Sequence, residues 1–310
     1  MRYLPILIAV LFFTSCSKGQ IKEEVGLTNK LVYNKKNSNY TVHLSNSYQA
    51  EIFINGFPIH PVLPWVGATV LDLGIEKVGT QKLKIILDLN AVTLENFAPK
   101  PEDQILSINL KKGFDDDNAI TFRLLYSDLK DGDFKKGYYV KEIEFEAKPA
   151  YHFFKEEAYV DLRKQPDLLD SLYARYQSIL YAVNDKNAKA FVKKIEVAEY
   201  QSAQLRNMEK EWVFKERERF FKNKLNLPPI DSCKLVFTDN GKMATLGLKY
   251  DISTGKKNAM INFPALSGIW EKGSVPKFID YYHYFFFAKQ KDKNELQLLR
   301  WRTFTYDMDM

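Results

Sequence analysis

In residues 82–89 the apolar side chains Leu83, Ile85, Leu87 and Leu89 alternate with Lys82, Lys84 and Asp88, the two-residue period of a strand with one side in a core. Residues 40–44, 50–54, 57–59, 104–110, 119–126 and 138–145 keep the same period. Asn55-Gly56 separates two of these runs, a dipeptide suited to both left-handed positions of a type I′ hairpin turn. Other turn signals fall at Gly79-Thr80, at residues 113–118 and at Asp131-Gly132-Asp133. Short alternating runs at this spacing predict an antiparallel β-sandwich domain over residues 30–155. Near Pro166 the period changes. Leu169, Leu172, Tyr173, Tyr176, Ile179, Leu180 and Val183 recur at three- and four-residue intervals, predicting a helix of about five turns with Pro166 in its first turn. Residues 184–187 interrupt it; a shorter helix is expected over 188–195 and another over 199–223, with Leu205, Met208, Trp212 and Phe220 on its apolar face. Strands return at 234–237 and 243–250, and a terminal hairpin joins 278–287 to 296–304 across a polar turn. Helices first and strands after predict a second, α+β domain over residues 166–310, with helices packed on a curved antiparallel sheet and a boundary between residues 150 and 165.

In period and turns the first half resembles immunoglobulin-like and jelly-roll modules. Residues 166–306 resemble the cone-shaped nuclear-transport-factor-like (SnoaL-like) superfamily, in which a helix with a pattern like that of Tyr176, Asn184-Asp185 and Phe191 covers a bent sheet closed by two long strands. That resemblance implies a cone whose mouth can hold an apolar ligand and, in some members, an acid and a tyrosine acting as base and oxyanion donor. Asp280 with Tyr281, Tyr282 or Tyr284, or His283, are the residues to try in those roles, and no family pattern aligns on them.

A different apolar run opens the chain. Arg2 precedes an apolar stretch over residues 4–13 and then Thr14-Ser15-Cys16, which has the charge, length and small residues of a secretion signal rather than of a membrane span. Phe13-Thr14-Ser15-Cys16 resembles the bacterial lipobox in its Bacteroidetes-type form, with Phe13 where leucine is usual. The resemblance implies removal of residues 1–15, acylation of Cys16, a polar tether over residues 16–29 and a lipid anchor in the cell envelope. Acids directly after the cysteine accompany surface export in that group, and Ser17-Lys18-Gly19-Gln20 has none, which implies an outer-membrane anchor facing the periplasm.

Composition narrows the remaining choices. Forty-five Lys and Arg against 39 Asp and Glu leave a mild net charge of +6, spread along the chain without a recognition motif, so a nucleic-acid partner is not expected. If Cys16 is acylated, Cys233 has no disulfide partner, and a core rich in the 22 Phe and 18 Tyr must hold the fold. Cys233 itself is expected as a buried strand thiol rather than a nucleophile.

Candidate chemistry is sparse. His43, His60, His152 and His283 lack metal-ligand spacing, and Asp115-Asp116-Asp117-Asn118 lacks the glycine and glutamate of a calcium loop, reading instead as a solvated turn. No nucleophile elbow, phosphate loop or dinucleotide fingerprint occurs, and no cofactor is implied. Glu142, Glu144 and Glu146 alternate as the wet face of an edge strand does. In the terminal hairpin Tyr281, His283, Phe285 and Phe287 point one way and Tyr282, Tyr284 and Phe286 the other. Phe285 and Phe287 are expected beneath the helix at 167–183. Tyr282, Tyr284 and Phe286, with Arg300 and Arg302 and beside Trp301 and Phe304, are expected on a more accessible face that forms the candidate binding surface. The function these readings imply is non-catalytic binding of a protein or small apolar ligand. Its alternatives are an immunity or assembly-accessory role toward one specific partner, and a ligand carrier or enzyme using the cone.

Overall fold

Eight strands build the first half in the computed structural model, which describes residues 26–62, 65–75, 77–93, 99–113, 119–222, 224–249, 264–271 and 278–307. Cys16 and its flanking run, and Asp115 to Asn118, lie outside these residues. The strands are β1 (Tyr40–Asn46), β2 (Tyr48–Ile54), β3 (Phe57–Val62), β4 (Trp65–Val70), β5 (Gly79–Thr93), β6 (Gln104–Lys112), β7 (Ile120–Leu125) and β8 (Tyr138–Ala147). They form two antiparallel sheets, ordered β4-β1-β6-β7 and β3-β2-β5-β8. Alternation places Val42, Leu44, Ile52, Leu83, Ile85, Leu87, Ile108 and Leu110 in the core between them. Asn55 and Gly56 take φ of 51° and 74°, the left-handed pair that a type I′ turn requires. Two expected turns are corrected. Gly79-Thr80 begins β5, and Asp131-Gly132-Asp133 opens the short helix α1 (Asp131–Lys136), where the Asp133 carboxylate accepts Lys130 N and left-handed Gly137 closes the end.

Three longer helices follow: α2 (Leu168–Asn184), α3 (Ala188–Leu205) and α4 (Lys210–Lys222). The helices expected over 188–195 and from 199 onward are one to Leu205, because Phe191, Val192, Ile195, Ala198, Ser202 and Leu205 continue a single buried stripe. Asn207, at φ 49°, lies in the link to α4, whose buried face carries Val213, Arg217, Phe220 and Phe221, while Trp212 points outward at 51% exposure. The last strands are β9 (Lys224–Asn226), β10 (Cys233–Phe237), β11 (Ala244–Leu248), β12 (Leu266–Glu271), β13 (Phe278–Lys289) and β14 (Leu296–Asp307). β13 is the spine of this sheet. β14 pairs with it from end to end on one side, while the other side is divided between β12, which leads on to β9, and β11, which leads on to β10. Ser202 of α3 accepts the Trp301 amide at 3.0 Å, so a helix covers the far edge of β14 and keeps it from pairing with another chain.

The terminal hairpin is buried on both faces. Phe285 and Phe287 meet Tyr176 of α2 at centroid distances of 5.3 and 5.8 Å, as the period of β13 predicts. Tyr282, Tyr284 and Phe286 do not form the expected accessible face. They belong to the sandwich's own core, where Phe286 stacks on Phe57 at 3.9 Å and Tyr284 has no exposed surface. Arg300 is 1% exposed, and half-buried Arg302 donates to Thr69 of β4 at 2.6 Å. Four of the five are therefore internal and Arg302 is half-buried, because the sandwich packs where solvent was expected.

Two further segments join the halves. Residues 148–167 carry Phe154 stacked on Tyr159 at 4.4 Å, in the sandwich core. At the N-terminal end the expected tether is already structured from Gly26, as a 3-10 turn over Gly26–Lys30. Thr28 donates to Glu199 at 2.6 Å and accepts from Arg217 at 2.7 Å, and the Arg217–Glu199 ion pair beside it is 1% and 4% exposed. A buried pair of this kind is costly to break on one side, since a lone charge then stays in the interior.

Candidate functional site

Two tight turns touch beside an open cleft. Asn55 heads the β2–β3 turn, and its side chain donates to Gly74 O at 2.9 Å and Gln81 Oε1 at 2.8 Å while accepting Lys82 N at 3.0 Å. The β10–β11 turn meets it through Asp239 N, which donates to Asn55 O at 3.1 Å. Each turn needs a glycine, since Gly56 and Gly241 take φ of 74° and 67°. A Cβ on Gly56 would lie 2.3 Å from Asp239 N, and one on Gly241 would lie 2.3 Å from Arg163 Nε. Arg163 holds the second turn from behind, donating to Asp239 O and Asn240 O while its fork pairs with Asp161 through two bonds of 2.9 Å. Those bonds pull the Asp161 carboxyl down to about 2.

Beside this joint lies an open cleft of about 670 Å³. Its walls come from the start of β5, from Glu144 on edge strand β8, from residues 152–157 and from the β10–β11 turn. Lys77, Lys82 and Lys155 supply ammonium groups; Glu144, Glu156, Glu157 and Asp239 supply carboxylates. Lys82 also pairs with Glu142 at 2.9 Å, and that hydrogen bond raises its pKa. Both partners are 44% exposed, so the pair steers the ammonium more than it stabilises the fold. Mixed charges lining one cleft suit a polar ligand or polypeptide that carries both signs. Glu142, Glu144 and Glu146 are exposed on edge strand β8, the wet face that their alternation predicts.

The other candidates have structural surroundings. Cys233 is buried and its thiol is pushed up to about 11 by desolvation, which makes it a poor nucleophile. His283 is 1% exposed, meets Phe220 edge-on at 4.5 Å and is driven down to about 3 by burial, so it is a neutral core group. Tyr176 is the tyrosine at the centre of the α+β core, yet its hydroxyl is occupied by Thr245 Oγ1 at 2.7 Å, Phe285 O at 3.1 Å and Phe285 N at 3.0 Å. Its ring meets Phe285 and Phe287, and Phe191, Phe220 and Trp301 belong to the same buried cluster, where the superfamily resemblance implied an open cone. His43 is exposed on β1 and His152 lines the cleft, while the side chains of His60, Asp280, Tyr281 and Phe304 lie outside the described residues. Among the described residues no three His, Cys, Asp or Glu side chains are grouped to hold a metal ion.

No protein-family model, curated protein or solved structure matches this chain. The cleft was not legible in the sequence because its residues come from five separate segments. The turn at Asn55-Gly56 and the strands at 234–237 and 243–250 were legible; the contact between that turn and the loop joining those strands was not.

Proposed function

We propose that this chain is a lipid-anchored envelope protein that acts by binding, with the cleft beside the Asn55–Asp239 joint as the place where its partner docks. One observation carries the reading: ammonium and carboxylate groups from separate segments line an open cleft of about 670 Å³ beside the joint, while the α+β core is packed with rings. The apolar run and Thr14-Ser15-Cys16 support the anchor, and the absence of acids in residues 17–20 supports its facing the periplasm. The partner that fits is a protein segment carrying both charge signs, in place of the small apolar ligand that an open cone would take.

Photo-crosslinking in intact cells tests it. A photoreactive amino acid at exposed Lys155 should yield a discrete adduct, and the same group at exposed Lys193 on α3 should not. The adduct should disappear on combined reversal of Glu156, Glu157 and Asp239 to lysine. Equal adducts from both positions, or none from residue 155, would overturn the reading.

A further inference from the structure

Val32 and Tyr33 are exposed at 60% and 47% and stand side by side just after the Gly26–Lys30 turn. Trp212, at 51%, opens α4 nearby, where Lys210 donates to Asn29 Oδ1 at 2.5 Å. Among the described residues all three side chains stand clear of the two buried cores. The backbone around them is held as a strap instead: the Gln204 amide bonds Val32 N at 2.9 Å and Val32 O at 2.7 Å, and Asn207 does the same for Asn34 N at 3.0 Å and Asn34 O at 2.8 Å. Residues 26–39 contain exposed Lys30, Lys35 and Lys36 and no acid. On α4 the Lys215 ammonium lies 4.7 Å over the Trp212 ring.

Aromatic and basic side chains exposed together match the headgroup zone of a bilayer, where rings enter the acyl boundary and ammonium groups stay with phosphate. Location agrees with chemistry. Ten residue steps separate Cys16 from Gly26, a reach of at most about 35 Å even when fully extended, so an acyl group on Cys16 keeps the strap close to its own leaflet. We infer that Val32, Tyr33 and Trp212, with Lys30, Lys35 and Lys36, form a surface that rests the folded chain on the anionic headgroups of the leaflet holding its anchor. The inference takes its location from the acylation reading of Cys16 and its chemistry from the strap alone. Because Thr28 ties the strap to Glu199 and Arg217, resting on lipid sets the orientation of the helix layer and, through it, of the cleft.

Vesicle sedimentation of the unacylated chain from Ser17 onward tests the surface without the anchor. Binding is expected to phosphatidylcholine vesicles containing phosphatidylglycerol, not to phosphatidylcholine alone, and is expected to weaken with salt. Combined Lys30→Gln, Lys35→Gln and Lys36→Gln should weaken it on the order of 100-fold. Val32→Ser with Tyr33→Ser should also weaken it at an unchanged unfolding midpoint, whereas Val66→Ser, at a position 77% exposed on the sandwich, should not. Wild-type protein that ignores anionic vesicles, or a triple lysine variant that binds as well as wild type, overturns the inference. A protein adduct from a photoreactive group at Tyr33, with no vesicle binding, assigns the face to a protein and overturns it equally. Fatty-acid labelling of wild type and Cys16→Ser is read separately. Labelling that survives the substitution sinks the anchor alone, and failed sedimentation with Cys16-dependent labelling sinks the surface alone.

Discussion

Burial moves two titratable residues in opposite directions. Desolvation lowers His283 from 6.5 to about 3, and desolvation raises Asp72 from 3.8 to about 7 although Tyr40 N donates to its carboxylate at 2.9 Å. The folded imidazole resists a proton that the unfolded one accepts, so the His283 contribution is complete above about 6.5 and is lost as pH falls toward 3. The unfolded Asp72 carboxyl ionises before the folded one, so its contribution is complete below about 3.8 and is lost as pH rises through 7. His283→Gln should flatten the acid side of a Tm-against-pH curve, and Asp72→Asn should flatten the fall between about 4 and 7 and leave a higher Tm than wild type at pH 8. A His283→Gln curve parallel to wild type across the acid range would show that another group causes the acid loss. Neither shift was legible in the sequence, because it depends on which neighbours exclude water. The buried character of Cys233 was legible from its apolar strand.

At the scale of the element, β13 shows how far a period reaches. Two-residue alternation separated Phe285 and Phe287 from Tyr282, Tyr284 and Phe286, and the structure keeps that division, sending the first pair to the helices and the second set to the sandwich. Period says which side chains share a face, but not what lies opposite that face. Phe285 and Tyr284 are both fully buried, so Phe285→Ala and Tyr284→Ala should each cost about 3–5 kcal/mol in denaturant titration. A clearly smaller loss for Tyr284→Ala would restore the face to solvent. Helix α3 teaches the same lesson. Two helices were expected over 188–195 and 199–223, yet Glu199 is buried against Arg217 of α4 and one helix runs through to Leu205.

For the whole molecule, the sheet of the second half serves as a wall between two cores. Its helix-facing side closes on α2, α3 and α4, and its other side completes the sandwich through Tyr282, Tyr284, Phe286 and Leu299. Such sharing predicts one cooperative transition for the full chain. Fragment 164–310 should expose the Tyr284 face, bind a hydrophobic dye and unfold without cooperativity, and adding fragment 28–155 should quench the dye. A sharp transition for each fragment alone would instead make the halves independent, with the division between residues 150 and 165.

The sequence by itself determined the local elements, because alternation, helical spacing and turn residues act over a few neighbours. That is why the sandwich strands, the Asn55-Gly56 turn, helix α2 and the long terminal hairpin could all be read from it. It also carries the apolar run and Cys16 that point to a lipid anchor. Strands β4, β9 and β12 went unread, being short or weakly patterned and set by the partners they pair with. Only the tertiary structure decided that the aromatic face of β13 is covered, that residues 26–39 are strapped to α3 and α4, and that two distant turns meet to form a cleft. Each of these depends on contacts between residues far apart in the chain, where a side chain's surroundings come from the fold and not from its sequence neighbours.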